Sequence, residues 1–223
     1  MTANKPKAVV SWSSGKDSAY AYHIAKSSGD FDIVGTLTTI TETFKRVSMH
    51  GVREELLDIQ IQNTGLKGYK SYIPSPCTNE IYEEKMRALS ETLKADGITH
   101  VIFGDLFLED VRDYRLRQME KAELECVFPL WKKDTTELAH EMIDSGLRSI
   151  LTCIDPKKLD KSFAGREFGP ALLADLPDHI DPCGENGEFH SVVIKGPMLK
   201  NDIPVTVGEI VERDGFIFAD VIP

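Results

Sequence analysis

Residues 8–18, with the sequence AVVSWSSGKDS, decide the fold of this chain. Residues 8–12 are apolar or small enough to form a buried strand, residues 13–18 are small and polar, and a helical pattern starts near Ala19. A strand that leads through a short polar loop into a helix brings free backbone N–H groups and the positive end of the helix dipole to one point. The stretch therefore predicts a phosphate site after the first strand of an α/β sheet.

The side chains of this loop suit a bound polyphosphate. Gly15 allows close approach of the backbone, the three serines supply hydroxyl donors, Lys16 supplies positive charge, and Asp17 caps the helix or helps to hold Mg²⁺. The predicted ATP ligands are Ser13, Ser14, Gly15, Lys16, Asp17 and Ser18. The common motif G-x-x-x-x-G-K-[ST] does not fit, because Val10 stands five residues before Gly15 and Asp17 follows Lys16. The alternative is a serine-rich turn that only caps a helix.

The pattern along the chain predicts two regions. Strands at 8–12, 33–39, 69–73, 101–103 and 126–128 alternate with helices at 18–26, 53–63, 79–96 and 110–124. This alternation is typical of a doubly wound parallel sheet, so residues 1–128 are predicted to form an α/β nucleotide-binding domain. A smaller α+β substrate-binding region is predicted over 129–223, with a helix at 135–145, strands at 147–154 and 192–195, and a hairpin over 205–221.

Composition and charge narrow the class of protein. The net charge of -10, from 26 Lys and Arg against 36 Asp and Glu, disfavours a nucleic-acid partner. The four cysteines form no C-x-x-C pair, which is typical of reduced thiols. Residues 1–7 are polar and do not resemble a signal peptide, and no apolar window is long enough to span a membrane. These features predict a cytoplasmic protein without a membrane partner.

Several segments carry a resemblance to a known family. The loop is similar to the S-G-G-x-D-S loop of the ATP pyrophosphatases, with Ser14 in place of the first glycine. Further matching segments are MHGVR at 49–53, GD at 104–105, PLW at 129–131 and CGENGEFH at 183–190. Together they resemble the diphthine-ammonia ligase family of N-type ATP pyrophosphatases over nearly the whole chain. The resemblance implies an adenine nucleotide α-hydrolase-like (HUP/Rossmann-like) fold and cleavage of Mg-ATP between the α and β phosphates.

The reaction implied by the resemblance joins a carboxylate to ammonia. The carboxylate attacks the α-phosphorus of ATP, pyrophosphate leaves, and free ammonia displaces AMP. Lys16 is then expected to hold the leaving pyrophosphate, and Asp17 is the tentative Mg²⁺ ligand. Gly104 and Asp105, which follow a predicted strand, are expected to contact adenosine or Mg²⁺.

Two further groups of residues are predicted on the substrate side. His50 and Arg53 follow the second strand, and Arg112 or Arg115 is expected to reach the substrate carboxylate. The polar residues of the loop at 181–190 are expected to face the substrate: Glu185 and Glu188 as ammonia-positioning or catalytic carboxylates, with Asn186 and His190 as substrate contacts. Two alternatives for this loop are a solvated turn and a metal site of His179, Asp181, Cys183 and His190, whose spacing matches no common zinc pattern.

The segment at 108–115 separates this chain from part of the family. Archaeal and eukaryotic ligases, which act on translation elongation factor two, tend to carry a Tyr-Gln-Arg run where this chain has LEDVRDYR, a version similar to that of the bacterial members. The acyl substrate is therefore left open, as is a homo-oligomer. Two rival functions also stay open: a tRNA-thiolating ATP pyrophosphatase, and a non-catalytic adenine-nucleotide-binding protein.

Overall fold

The computed structural model describes residues 5–223, so the first four residues of the polar N-terminal stretch lie outside the described part. The N-terminal half forms a six-stranded sheet with helices. Its strands are β1 (Lys7–Ser11), β2 (Asp32–Thr41), β3 (Arg46–Val47), β4 (Lys67–Ile73), β5 (His100–Ile102) and β6 (Glu125–Val127). Its helices are α1 (Lys16–Ser28), α2 (Glu54–Thr64), α3 (Asn79–Ala95) and α4 (Glu109–Lys121).

Five of these strands are parallel, in the spatial order β4-β2-β1-β5-β6. The chain builds outward from β1 on one side and then returns to build on the other side, which is the doubly wound arrangement. In such a sheet the ligand crevice opens where the order reverses, outside the carboxyl ends of the two central strands. Here those strands are β1 and β5, so the crevice lies between the loop that precedes α1 and the loop that contains Gly104. The predicted α/β fold is confirmed.

One strand of this sheet departs from the expected parallel pattern. The short strand β3 pairs antiparallel with the end of β2, Ile40 with Val47 and Thr41 with Arg46. The sequence pattern missed β3, because two residues are too few to show a period. The hairpin carries the segment at 48–51 to the edge of the crevice.

The C-terminal half forms a second, antiparallel sheet. Its strands are β7 (Arg148–Ile154), β8 (Glu167–Phe168), β9 (Phe189–Lys195), β10 (Thr206–Arg213) and β11 (Phe216–Ile222). They run in the order β10-β11-β7-β8, and β9 also pairs with β7. Helices α5 (Thr135–Asp144) and α6 (Pro170–Asp175) accompany this sheet. Asp134 caps α5 by accepting hydrogen bonds from the amides of Thr136 and Glu137 at 3.0 and 2.9 Å.

One hydrophobic core connects the two sheets. Buried Val10 and Trp12 of the first half belong to the same cluster as Ile150 and Val192 of the second half. A smaller cluster fills the other face of the first sheet, under α3 and α4. The domain boundary at 128/129 stays a prediction. Within residues 5–223, no helix combines the length and apolar character needed to cross a membrane.

Candidate functional site

A cavity of about 530 Å³ opens at the carboxyl ends of the parallel strands. It lies between the loop before α1 and the Gly104 loop, and the C-terminal half closes one side through the start of β9. Predicted site residues that line it are Ser13, Asp17, Ser18, His50, Gly104, Asp105, Arg115, Glu185 and His190. Ser14, Gly15, Lys16, Arg53, Arg112, Asn186 and Glu188 do not line it. The crevice thus collects most of the predicted polar groups from distant parts of the sequence.

The predicted phosphate loop, residues 13–18, has an unusual backbone conformation at Ser14. Ser14 has a φ of 71°, in the left-handed region that favours glycine. Its side chain is buried, and its Oγ finds no hydrogen-bond partner within residues 5–223. Its carbonyl accepts a hydrogen bond from the amide of Val193 at 2.9 Å. The loop therefore keeps a glycine-like backbone although a serine occupies the position.

Gln60 is a functional candidate that the sequence analysis missed. This fully buried α2 side chain accepts a hydrogen bond from Trp12 Nε1 at 3.0 Å, and its Nε2 donates to the carbonyls of Ser14 and Val193 at 3.1 and 2.7 Å. One side chain thus ties the residue after β1, the loop at 13–18 and β9 together. The signal in the sequence was a polar residue on the apolar face of α2, between Leu57 and Ile61.

We expect Ser14→Gly to stabilise the protein by about 1 kcal/mol. Glycine removes the cost of the left-handed conformation, roughly 1–2 kcal/mol, but adds some entropy to the unfolded chain. It also removes a buried hydroxyl without a partner. Urea unfolding measures the change. Ser13→Gly, one residue earlier and outside the left-handed region, is the matched control and should not stabilise. Equal effects of the two substitutions would contradict this account of Ser14.

We expect Gln60→Met to weaken ATP binding about 10-fold, because the Ser14 carbonyl then loses one of its two donors. Calorimetric titration with ATP measures the loss. Since glycine adopts the loop conformation without strain, Ser14→Gly in the Gln60→Met background should restore most of the affinity. No recovery in the double variant would mean that Gln60 acts through general stability and not through the loop.

Gly104 lies against the backbone of the phosphate loop. A Cβ atom at this position would stand 2.7 Å from the carbonyl carbon of Asp17 and 2.7 Å from the amide nitrogen of Ser18. Both atoms belong to the first turn of α1, which cannot move like a flexible side chain. Gly104 is therefore required for the two central loops to meet.

Asp105 and Arg115 form an ion pair at the wall of the cavity. Arg115 Nε lies 3.5 Å from Asp105 Oδ2, and neither atom makes a hydrogen bond in the described part of the chain. Burial raises the pKa of Asp105, although the neighbouring guanidinium opposes that shift. Both residues line the cavity, so the ion pair places one charge of each sign at its wall.

The structure places Lys16 differently from the prediction. Its buried ammonium contacts the Asp17 carboxylate at 2.9 Å, donates to the carbonyl of Cys183, and lies over the Phe168 and Phe189 rings at 5.5 and 5.3 Å. Burial lowers the pKa of Lys16, but the Asp17 carboxylate, Cys183 and Glu185 together outweigh burial and hold that pKa above the usual value. The ammonium is therefore directed at the loop at 181–190, and Lys16 does not line the cavity.

Glu185 presents a carboxyl group to the cavity from the C-terminal half. Its Oε1 accepts a hydrogen bond from the amide of Leu106 at 2.8 Å, which fixes the side chain next to the Gly104 loop. Burial raises the pKa of Glu185 to about 7; the negative charges of Asp17 and Asp105 act in the same direction and the Leu106 amide opposes them. A carboxylate with a pKa near neutrality is suited to accept a proton at physiological pH.

Glu188 and Asn186, predicted as catalytic and substrate-binding residues, lie inside their own loop. Glu188 is buried, and its Oε1 accepts from the amide of Asp181 at 3.2 Å and from Asn186 Nδ2 at 3.1 Å. These hydrogen bonds join residues within the same loop, so both side chains stabilise the conformation of the loop. The prediction treated Glu185 and Glu188 as a pair, because sequence spacing does not show which of two nearby glutamates points outward.

The rings of His50 and His190 pack against each other at the cavity wall, with centroids 4.5 Å apart and planes tilted by 38°. His50 Nδ1 lies 3.1 Å from the carbonyl of Ser191, which only accepts, so this nitrogen carries the proton. Burial lowers the pKa of His50 to about 4 and that of His190 to about 3. Both rings are neutral at pH 7 and offer polar contacts without charge.

Two predicted arginines lie away from the cavity. Arg53 makes a bidentate pair with Asp220 of β11, at 2.9 and 2.5 Å. Arg112 lies over the rings of Phe128 and Trp131, at 5.2 and 5.0 Å from their centroids. Of the three arginines predicted for substrate binding, the structure brings Arg115 alone to the cavity.

The carboxylates at the cavity fit a metal that arrives with its ligand. Across residues 5–223, no three His, Cys, Asp or Glu side chains are grouped to hold a metal by themselves, which also removes support for a site of His179, Asp181, Cys183 and His190. Mg²⁺ in proteins commonly takes one or two carboxylates together with phosphate oxygens. Asp17 and Asp105 line one cavity and are the residues that would serve such an ion.

Together, the strand order and this cavity define an α/β protein with a crevice at the switch point of a doubly wound sheet. Two family comparisons cover most of the chain. Residues 6–123 match the diphthamide synthase N-terminal domain, and residues 134–219 match the diphthamide synthase C-terminal domain. The chain belongs to the diphthamide synthase family.

Individual relatives agree with this family. The chain is similar to the diphthine–ammonia ligases of Schizosaccharomyces pombe (33% identity over 88 residues, 38% of this chain and 14% of the relative), Danio rerio (28% over 145 residues, 61% and 54%) and Homo sapiens (24% over 153 residues, 65% and 56%). The aligned part spans about half the length of the two vertebrate relatives and a smaller share of the yeast one.

Proposed function

We propose that this protein is an ATP-dependent ligase that adenylates a carboxylate, releases pyrophosphate and forms an amide with ammonia. The observation that carries the proposal is the single cavity in which the phosphate loop at the N-terminus of α1 meets the carboxyl groups of Asp105 and Glu185. The relatives named as diphthine–ammonia ligases support the same chemistry.

The N-terminus of α1 is the proposed place for the ATP phosphates. Gly15 precedes the helix and has no side chain to cap it, so amides of the first turn and the positive end of the helix dipole are available at the crevice. The Lys16 amide is 3.3 Å from Ser191 Oγ, which leaves those of Asp17 and Ser18 for an anion. Mg²⁺ would enter with ATP and would be held by Asp17 and Asp105.

Glu185 is the proposed proton acceptor for ammonia. Ammonia attacks the acyl carbon of the adenylate, AMP leaves with one former carboxylate oxygen, and the nitrogen loses a proton to the Glu185 carboxylate. The two histidines that line the same cavity have pKa values lowered to about 4 and 3, so they are weaker bases than Glu185, whose pKa is raised to about 7. Positioning of the reactants and this proton transfer are the protein's proposed contributions.

The cysteines argue against the thiolation alternative. Burial raises the pKa of Cys126 to about 11 and that of Cys153 to about 12, and it raises the pKa of Cys183 as well. A reactive thiolate requires the opposite shift. All four cysteines are free thiols, in keeping with the proposed cytoplasmic location. The acyl substrate is proposed to be a carboxylic acid, with elongation factor two and homo-oligomer formation left open.

The proposed function is tested with ATP, Mg²⁺, ¹⁵N-ammonium and a set of carboxylic acids. We expect AMP, pyrophosphate and a ¹⁵N-amide in equal amounts, detected by mass spectrometry. AMP without amide would indicate adenylation without ligation, and tRNA-dependent AMP formation would favour the thiolation alternative. ATP binding with no turnover under any condition would favour a non-catalytic nucleotide-binding protein.

A further inference from the structure

A second cavity of about 280 Å³ lies beside the first. It is formed between the β2–β3 hairpin of the N-terminal half and the β10–β11 hairpin of the C-terminal half. Val47 and Met49 line both cavities. The two spaces are therefore neighbours across the segment that follows β3.

The wall of the second cavity is mainly apolar and balanced in charge. Three phenylalanines, Phe44, Phe216 and Phe218, contribute to it. Its charged members are two arginines and two aspartates: Arg46, Arg213, Asp214 and Asp220. Asp220 is engaged by Arg46 at 3.0 Å and by Arg53 from outside the cavity. Such a wall favours an uncharged apolar group over an ion.

Apolar side chains at the rim of this cavity are exposed. Among residues 5–223 eight large hydrophobic side chains are exposed, and three of them line this cavity: Phe44 at 44%, Met49 at 66% and Val211 at 40%. Exposed apolar groups that gather around a concave site mark a place where a ligand is bound.

We propose that the second cavity binds the apolar, non-reacting part of the carboxylic acid substrate. The acid would lie across Met49, with its carboxylate in the first cavity and its carbon chain in the second. This inference rests on the proposed ligase function and adds the substrate class, an acid with an extended uncharged body. At roughly 30 Å³ per water-sized atom, the cavity has room for about nine such atoms.

A homologous series of straight-chain acids tests the inference. Acetate, butyrate, hexanoate and octanoate are compared by kcat/KM for ammonia-dependent AMP formation. If each added methylene enters the cavity, kcat/KM should rise about fourfold per methylene across the series. ATP affinity, measured by calorimetry in the absence of acid, should be the same in each variant below, because ATP is assigned to the first cavity.

Two variants test whether the dependence of kcat/KM on the chain length of the acid arises from this cavity. Val211→Trp should fill the space and remove the gain for hexanoate and octanoate while the rate with acetate is unchanged. The control is Ile210→Trp on the same strand, because Ile210 is 53% exposed and does not line the cavity. Phe44→Ala should reduce the gain per methylene without adding bulk.

The outcomes separate this inference from the function on which it rests. A rise with chain length in the wild type and Ile210→Trp proteins, lost in Val211→Trp, supports the second cavity as the acyl site. AMP formation that is independent of chain length, or a rise that survives Val211→Trp, overturns the inference but leaves the ligase function. ATP binding with AMP formation from none of these acids overturns it in favour of another occupant, such as a peptide segment. Failure to bind ATP contradicts the proposed function itself.

Discussion

Replacing Gly104 with alanine is expected to weaken ATP binding by about 100-fold or more. The added Cβ would lie 2.7 Å from two backbone atoms of the first turn of α1. Non-bonded carbon atoms normally lie at least about 3.5 Å apart, so the phosphate loop and the Gly104 loop must move apart by about 1 Å. A misplacement of this size costs on the order of 100-fold in reaction rate, and we expect a comparable loss of affinity because the same two loops are proposed to hold ATP.

Calorimetry with ATP measures the effect, and circular dichroism shows whether the fold is retained. Gly169→Ala is the matched control, because Gly169 has an extended φ of -167° and the heavy atom nearest to its added Cβ would be a flexible glutamate oxygen at 4.0 Å. Its ATP affinity should equal that of the wild type. Normal ATP binding by folded Gly104→Ala protein would show that the nucleotide does not use the junction of these two loops.

Replacing Glu185 with glutamine is expected to reduce ammonia-dependent amide formation by about 100-fold or more and to leave ATP binding unchanged. Glutamine keeps the Oε1 atom that accepts from the Leu106 amide, so the loop should keep its shape. It has no carboxylate to take the proton from ammonia, a contribution of roughly 100- to 10,000-fold for a general base.

The dependence of the rate of amide formation on pH is a second measurement that tests this prediction. The pKa of Glu185 is raised to about 7 by burial, so the group is protonated below that pH and accepts a proton only above it. When the rate is expressed per concentration of unprotonated ammonia, which itself increases with pH, wild-type amide formation should therefore rise through pH 7, and this rise should be absent from Glu185→Gln. Glu188→Gln should keep both the fold and the rise, because glutamine retains the Oε1 atom that accepts from Asp181 and Asn186 and this side chain does not line the cavity. A rise that persists in Glu185→Gln would remove Glu185 from the proton transfer.

The sequence predicted the local and periodic features of the fold. The alternation of strands and helices identified the doubly wound sheet, and the end of β1 and the end of β5 placed the phosphate loop and Gly104 at one crevice. These features depend on residues that are close in the sequence, within about one helix or strand, so their pattern is visible along the chain.

The rest of the site depends on contacts between distant residues. Lys16 and Cys183 are 167 positions apart, and their contact decides that the lysine is buried under the C-terminal loop. Likewise, the β9 amide of Val193 fixes the carbonyl of Ser14. Neither contact has a periodic signal in the sequence. Ser14 was identified as a departure from a glycine pattern, but its left-handed backbone became evident only from the structure.

The central claim is that ATP is cleaved between its α and β phosphates by attack of a substrate carboxylate. The most direct test uses an acid that yields amide and that carries oxygen-18 at both positions of its carboxylate. Because AMP leaves with one of these oxygens, mass spectrometry should find one ¹⁸O atom per AMP and none in pyrophosphate. Appearance of ¹⁸O in inorganic phosphate, together with ADP, would show transfer of the γ-phosphoryl group and would contradict the account.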